Sequence, residues 1–371
     1  MHAIEFYSGI GGLHLALKRC STPARVVRAF DWDQAACQVY EANHGGKLVN
    51  KTDISTLKAP DLTSLKADIW LLSPSCQPYT VLNPQAKGAA DPRAKSFLHL
   101  IENVLPSLVP LAQHPRYILI ENVAGFETSM TRQLLLSVLK QQGYNVIELL
   151  LTPLQFGIPN SRLRYYCLAK LSPLVFSNTD GHSDSVWRHI PGQGNDWLDP
   201  RLGVSHEVVM DSVDRIQNYI DSDLTDPEAF AIPDRVLQKW GRLFDIVTPS
   251  SHRTCCFTRG YTQLVGRAGS ILQVNRDLET ETVFNTFLNS KTKGSENPVD
   301  ILRPLQLRYF TPTELLRLFY FLSPRCHQEY AIDTAPSFSW PTGMTNKTKY
   351  RLIGNSVNVK IVTELLNYLF L

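Results

Sequence analysis

Along the first half of the chain the spacing of apolar positions switches repeatedly between two periods. "AIEFYS" is a short apolar run that ends in the glycines of "GIGG", and "LHLALKRC" follows with helical spacing. "ARVVRAFD" predicts a second strand ending at Asp31, and "QAACQVYEANH" a second helix. "DIWLLSP" predicts a buried strand, "SFLHLIENVLPSLVPL" an amphipathic helix and "YILIENV" another buried strand. "TRQLLLSVLKQQGY" predicts a helix and "RLRYYCLAK" a strand. Strands alternating with helices predict an α/β fold with a doubly wound, mostly parallel sheet.

After about residue 172 the pattern breaks. "SNTDGHSDSVWRHIPGQGNDWLDPRLG" is rich in Asp, Gly, Ser and Pro and predicts a loop or poorly ordered insert. Helical spacing returns in "VLQKWGRLFDIV" through Val236, Trp240, Leu243 and Phe244. "RTCCFTRGYTQLVGRAGSILQ" predicts short strands and turns carrying arginines, and "YRLIGNSVNVKIVTELLNYLFL" ends in an amphipathic helix.

Composition narrows the function classes only a little. The chain has 371 residues, 43% hydrophobic and 19% charged, enough for a large core in one or two domains. A formal net charge of +3 means that any contact with nucleic acid comes from local patches. The seven cysteines include no CxxC pair, so no zinc site is suggested. Reduced thiols point to cytoplasm or nucleus. Neither a secretory leader nor a membrane-spanning stretch is expected.

Chemistry first shows in "FYSGIGGLHLAL", a strand, a glycine turn and a helix. The glycines either serve turn geometry alone or let the backbone approach a ligand at a helix N-terminus. Asp31, closing the second strand, stands where an acid can hold two ribose hydroxyls. The glycines lie too close together for G-x-G-x-x-G, which disfavours a nicotinamide cofactor and suits a nucleoside without a pyrophosphate, such as S-adenosyl-L-methionine. Asp53 in "NKTDIS" is either an adenine partner at the end of a third strand or a solvated turn residue.

Cys20, Cys37 and Cys167 fit helix or strand patterns and act as small hydrophobes. Cys76 in "LLSPSCQPYT" does not. It follows the carboxyl end of a predicted parallel strand, where open α/β sheets bind ligands, in a turn stiffened by Pro74 and Pro78. A following helix N-terminus would favour its thiolate. No papain-like or caspase-like signature surrounds it. Glu121 ends the neighbouring strand in "YILIENV", either as a helix-capping acid or as a carboxyl that burial keeps protonated.

"FYSGIGG", "SPSCQPYT", "ENV", "QFGIPNSRLRYY", "LRYFTPTELLRLF" and "YRLIGNSVNV" occur in one order from Phe6 to Asn358. This order resembles the motifs of the DNA cytosine-5 methyltransferase family. Cys256-Phe257-Thr258 resembles the branch that methylates tRNA at an anticodon-loop cytosine, notably position 38 of aspartate tRNA.

The resemblance implies a class I, Rossmann-like S-adenosyl-L-methionine-dependent methyltransferase domain at residues 1–171 and 341–371. It places a smaller target-recognition domain at residues 172–340. Cys76 is then the nucleophile, which adds to C6 of cytosine and makes C5 reactive toward the methyl group. Glu121 hydrogen-bonds N3 and the exocyclic amine. Of Arg162 and Arg164, one holds the base O2 and the other the carboxylate network, unless either is only a strand-edge ion pair. Cofactor contacts fall to Phe6, Ser8, Gly9, Ile10, Gly11, Gly12, Asp31, Trp32, Asp53, Ile54 and Ser73, with Asn355, Ser356 and Val357 returning from the C-terminal motif. Lys87, Arg93 and Lys95 lie in the segment after Cys76 that closes over the base, although the same composition suits a solvated loop. Arg253, Cys256, Arg259, Tyr261 and Arg267 mix cations with an aromatic ring in a way that suits single-stranded RNA, and equally an ordinary domain surface. The implied partner is a tRNA anticodon stem-loop, with weak DNA binding beside it, and the implied state is a monomer.

One position departs from the family. Its usual Pro-Pro-Cys stands here as Pro74-Ser75-Cys76, which frees a backbone angle and restores an N–H donor. DNA cytosine-5 methylation and a catalytically weak nucleic-acid-binding homologue are the alternatives.

Overall fold

The computed structural model describes residues 1–75, 94–179, 186–194, 212–264, 268–294, 296–325 and 337–371. At its centre the strand His2–Phe6 (β1) alternates between two apolar cores, Ala3 joining one and Ile4 and Phe6 the other. Burial on both faces is the mark of a sheet covered by helices on each side.

The elements follow the predicted alternation. They run α1 (Gly12–Arg19), β2 (Arg25–Asp31), α2 (Gln34–His44), β3 (Val49–Lys51), α3 (Ala59–Thr63) and β4 (Ile69–Leu72). The long amphipathic segment forms α4 (Lys95–His99), a π-helical turn at Leu100–Val104, and α5 (Leu105–Leu108). Next come β5 (Tyr117–Val123), α6 (Met130–Gln141), β6 (Tyr144–Leu151) and β7 (Arg164–Leu171). Local signals fix the helix starts. Asp33 caps α2 by accepting from the amides of Ala35 and Ala36, and Ser129 caps α6 through the amide of Arg132.

The sheet order is β3-β2-β1-β4-β5-β7-β6. Strands β1 to β5 pair in parallel, and β7 runs antiparallel to both β5 and β6. β6 is absent from the sequence-based expectation. The helix expected through Tyr144 stops at Gln141, and Gly143, at φ +83°, turns the chain into the strand.

The second half adds α7 (Asp234–Trp240), β8 (Ile246–Val247), β9 (Ile271–Gln273), α8 (Thr280–Thr292) and β10 (Leu307–Arg308). It closes with α9 (Pro312–Leu318), α10 (Asn346–Gly354) and α11 (Val359–Leu369). β8, β9 and β10 make a three-stranded sheet over a small core that includes Leu237, Phe284, Phe287 and Leu302. The helical spacing expected through Val247 ends early, because Ile246 and Val247 pair with β9. Part of the expected insert is fixed to the main sheet. Trp187 donates to the carbonyl of Glu148 and accepts from the amide of Leu150, each at 2.8 Å, which satisfies edge groups of β6. No helix among the described residues is long and apolar enough to cross a membrane.

Candidate active site

Two groups of residues meet at the carboxyl ends of the parallel strands. The first surrounds the glycine turn. Asp31, at the end of β2, accepts the amide of Gly9 at 2.7 Å through Oδ2 and that of Asp33 at 2.8 Å through Oδ1. Burial pushes its carboxyl above the ordinary range against those hydrogen bonds. Gly9 has φ +53° and open space where a side chain would stand. The Ser8 hydroxyl is buried with no partner among the described residues. Trp32 is 69% exposed, large for an indole next to such a turn. Asp53 lies just past β3, where the amide and hydroxyl of Ser55 both donate to its Oδ1 and hold the carboxyl below its usual range.

The C-terminal motif returns to this turn. Val357 packs so closely on Gly12 that a Cβ there would fall 2.7 Å from its Cγ2. Asn355 is exposed at the end of α10, and the Ser356 hydroxyl donates to the carbonyl of Leu352. Arg351 of the same helix pairs with Asp33. Ser73 stays on the strand side, its amide on the carbonyl of Phe6 and its hydroxyl on that of Tyr7.

The second group surrounds Glu121. The antiparallel register pairs Glu121 with Tyr166 and Val123 with Arg164. Residues two apart share a face, so Arg164 projects beside Glu121, one pair along. A parallel β7 would have placed that arginine at the opposite end of the sheet. Arg164 Nε lies 3.5 Å from Glu121 Oε1. Burial raises the Glu121 carboxyl above its ordinary value, and Arg164 and then Arg162 pull against it. Asn122 donates to the carbonyl of Pro74 at 3.5 Å, bringing the backbone that leads to Cys76 beside the same strand end.

Arg162 does a different job. Its Nη1 donates to the carbonyl of Phe257 at 2.8 Å and reaches Cys256 Sγ at 3.5 Å. Its Nη2 donates to the carbonyls of Gly354 and Ser356 at 3.1 and 2.7 Å, and the guanidinium lies over the Phe319 ring. This residue ties three distant segments together, and it makes no strand-edge ion pair, the plainer alternative, among the described residues. Cys256 Sγ also lies 3.7 Å from Arg164 Nη2. Burial pushes this thiol up, but Arg164 and Arg162 outweigh it and hold it below the usual thiol range.

Several expected contacts change. Phe6 is fully buried, stacked with Phe30 and edge-on to Trp70, so its ring serves the core. Ile10 and Ile54 are likewise core residues, which leaves only their backbone to a ligand. Tyr261 is not a stacking platform for a base. It is 2% exposed, its hydroxyl donates to the carbonyl of Ser270 and accepts from the amide of Phe310, and aromatic rings surround it. Lys95 opens α4, is exposed, and its charge helps to lower the Asp53 carboxyl. Arg253 pairs loosely with Asp245 at 3.8 Å, and Arg259 is exposed. Cys76, Lys87, Arg93 and Arg267 lie outside the described residues. Sequence reasoning passed over Tyr7, which joins β1 to the turn at φ +58° with its hydroxyl on Ser96. Its place between strand end and glycine was the available signal.

A glycine turn, the acids Asp31 and Asp53 and a buried carboxyl beside an arginine thus stand at the carboxyl ends of the parallel strands. Residues 1–370 match the family model of C-5 cytosine-specific DNA methylases, and the chain belongs to that family. It is 40% identical to the tRNA (cytosine(38)-C(5))-methyltransferase of Schizosaccharomyces pombe, over 100% of this chain and 96% of that one. It is 35% identical to a DNA (cytosine-5)-methyltransferase of Dictyostelium discoideum, over 100% and 94%. Among solved structures, a mutant DNMT2 of Spodoptera frugiperda superposes with a TM-score of 0.78 at 34% identity, covering both chains fully.

The chain is therefore an enzyme of cytosine-5 methyl transfer, with the class I methyltransferase fold and S-adenosyl-L-methionine as its cofactor. The glycine turn fits that molecule: a buried Ser8 hydroxyl with no partner among the described residues, open space at Gly9, an anchored carboxylate at Asp31 and an exposed ring at Trp32.

Proposed function

We propose that this enzyme methylates C5 of cytosine 38 in a tRNA anticodon loop, with aspartate tRNA as its principal substrate, through covalent addition of Cys76. What carries the reading is the match, over the whole chain, to a relative named for that position.

The residues support the chemistry. The Cys76 thiolate adds to C6 of the cytosine while Glu121 gives a proton to N3, which makes C5 nucleophilic. Bound cofactor supplies an electrophilic methyl group on its sulfonium. Loss of the C5 proton to solvent water then restores the C5–C6 double bond, expels the thiolate and returns the N3 proton to Glu121. Glu121 suits this exchange because burial favours its protonated form while Arg164 stabilises the ionised one. Asp31 and Asp53 hold the nucleoside of the cofactor, and Trp32 covers it. Residues 172–340 carry target recognition, and Arg253 and Arg259, three residues to either side of Cys256, grip RNA phosphates.

An anticodon-loop base is already unpaired, so less deformation energy is needed than for a duplex base. The DNA name of the Dictyostelium relative favours a second reading, methylation of duplex DNA. Bisulfite sequencing after incubation with cofactor and either total tRNA or duplex DNA separates the two. Conversion-resistant cytosine at position 38 of aspartate tRNA is the expected result. Equal modification of duplex DNA in the same buffer would overturn the choice of substrate.

A further inference from the structure

Beneath the glycine turn lies a set of polar side chains that methyl transfer does not use. Glu5 on β1 is fully buried, with no cationic partner among the described residues. Its Oε1 accepts the amide of His14 at 3.3 Å, so the carboxyl occupies the N-terminal end of α1. Its Oε2 accepts the Tyr40 hydroxyl at 2.9 Å, and that hydroxyl also meets His14 Nδ1 at 2.7 Å. The His14 ring stacks on His44 with centroids 4.1 Å apart and planes 18° apart. His44, at the end of α2, turns the Nε2 edge of its ring toward the backbone of Gly11. It lies so near that a Cβ on Gly11 would fall 2.1 Å from its Nε2.

Buried polar groups are costly unless each is satisfied, and a satisfied network rigidifies what it touches. This one ends on the backbone of the turn. Asp31 holds the amide of Gly9, and the His44 ring packs against Gly11. Glu5 also fills the helix end where a phosphate would bind, which matches a cofactor that carries none.

We infer that Tyr40 and His44 are positioning residues for the cofactor. Glu5, Tyr40 and His14 fix the His44 ring, and His44 fixes the turn in the shape that receives the nucleoside. The inference rests on the cofactor sitting at this turn.

Calorimetric titration with S-adenosylhomocysteine tests it, alongside steady-state kinetics. Tyr40→Phe, which removes one hydroxyl and keeps the ring, should weaken binding about tenfold. It should raise KM for the cofactor by the same factor and leave kcat and the KM for tRNA within about twofold. His44→Leu should lose a similar amount, and His44→Gln, which keeps a donor, should recover most of it. Unchanged affinity in His44→Leu would overturn the inference, as would equal losses in His44→Leu and His44→Gln. So would a fall in kcat of Tyr40→Phe at saturating cofactor. Half-buried His44 decides the matter if Tyr40→Phe does not fold. Asp31→Ala guards the premise: wild-type affinity in that variant would place the cofactor elsewhere and overturn the inference with it.

Discussion

The two halves of the site are built in opposite ways. Around the glycine turn, contacts span short stretches of chain: Ser8, Gly9 and Asp31 come from one strand–helix–strand unit. Around Glu121, partners come from far apart. Arg162 alone joins Phe257, Gly354 and Ser356. Most of the nucleoside side is shaped by local geometry, with the C-terminal motif packed against it, whereas a charged pocket around Glu121 requires several distant segments to exclude water together.

The sharpest way to break this comparison is Glu121→Gln. It should lower methyl transfer about 10²–10⁴-fold, while affinity for S-adenosylhomocysteine stays within about twofold. A large loss of cofactor affinity, measured by calorimetry, would show that the halves are not separable. Next is Arg162→Leu, which strands three carbonyls and should cost about 3 kcal/mol or more of stability. Arg164→Leu should lose activity with a smaller change in Tm. Equal melting temperatures for the two variants would remove the distinction between clamp and carboxylate partner.

Legibility in the sequence follows the same division. The glycine turn, Asp31 and the Glu121 strand end could be found because each sits in one short motif with its own spacing. The direction of β7 could not, since "RLRYYCLAK" is equally apolar in either orientation. β6 was hidden because "YNVIELLL" continues the apolar run of α6 past Gly143. Tyr261 looked like an RNA-binding ring among arginines, but the residues that bury it, Phe310 and Tyr350, are remote in the chain. Phe6 misled for the opposite reason: strand parity sends its ring into the core, and Tyr7 beside it meets the turn.

On the cofactor side the expected effects are smaller. Asp31→Ala should weaken S-adenosylhomocysteine about tenfold, the scale of a lost charge-assisted hydrogen bond. Calorimetry showing no change would remove Asp31 from the site. Glu5→Gln probes pH dependence. Burial raises the Glu5 carboxyl to about 8, against the ordinary 4.5. An unfolded chain releases that proton first, so this contribution to stability is full at low pH and is lost as pH rises through about 8. His14 and His44 act in the opposite sense. Burial lowers them to about 3 and about 4, so their contribution is full above the ordinary 6.5 and is lost as pH falls. The Tm of Glu5→Gln relative to wild type should therefore rise between about pH 6 and about pH 9. A constant difference across that range would show that Glu5 does not titrate as its burial requires.

The closure of Gly354 against the turn at Thr258 and Arg259 has a consequence for how the protein is made. A side chain at Gly354 would collide with that backbone at 2.3 Å, and α11 beyond it docks on α1, with Ser21 bonded to Asn367. Translation delivers the glycine turn long before the helix that packs on α1. A nascent chain still lacking α11 has the whole Glu121 strand but an open flank on α1, so competence to bind cofactor should arrive only once α11 has been made. Chains stalled before Val359 and offered labelled cofactor should remain unloaded, and loading of such chains would show that the amino-terminal half closes by itself.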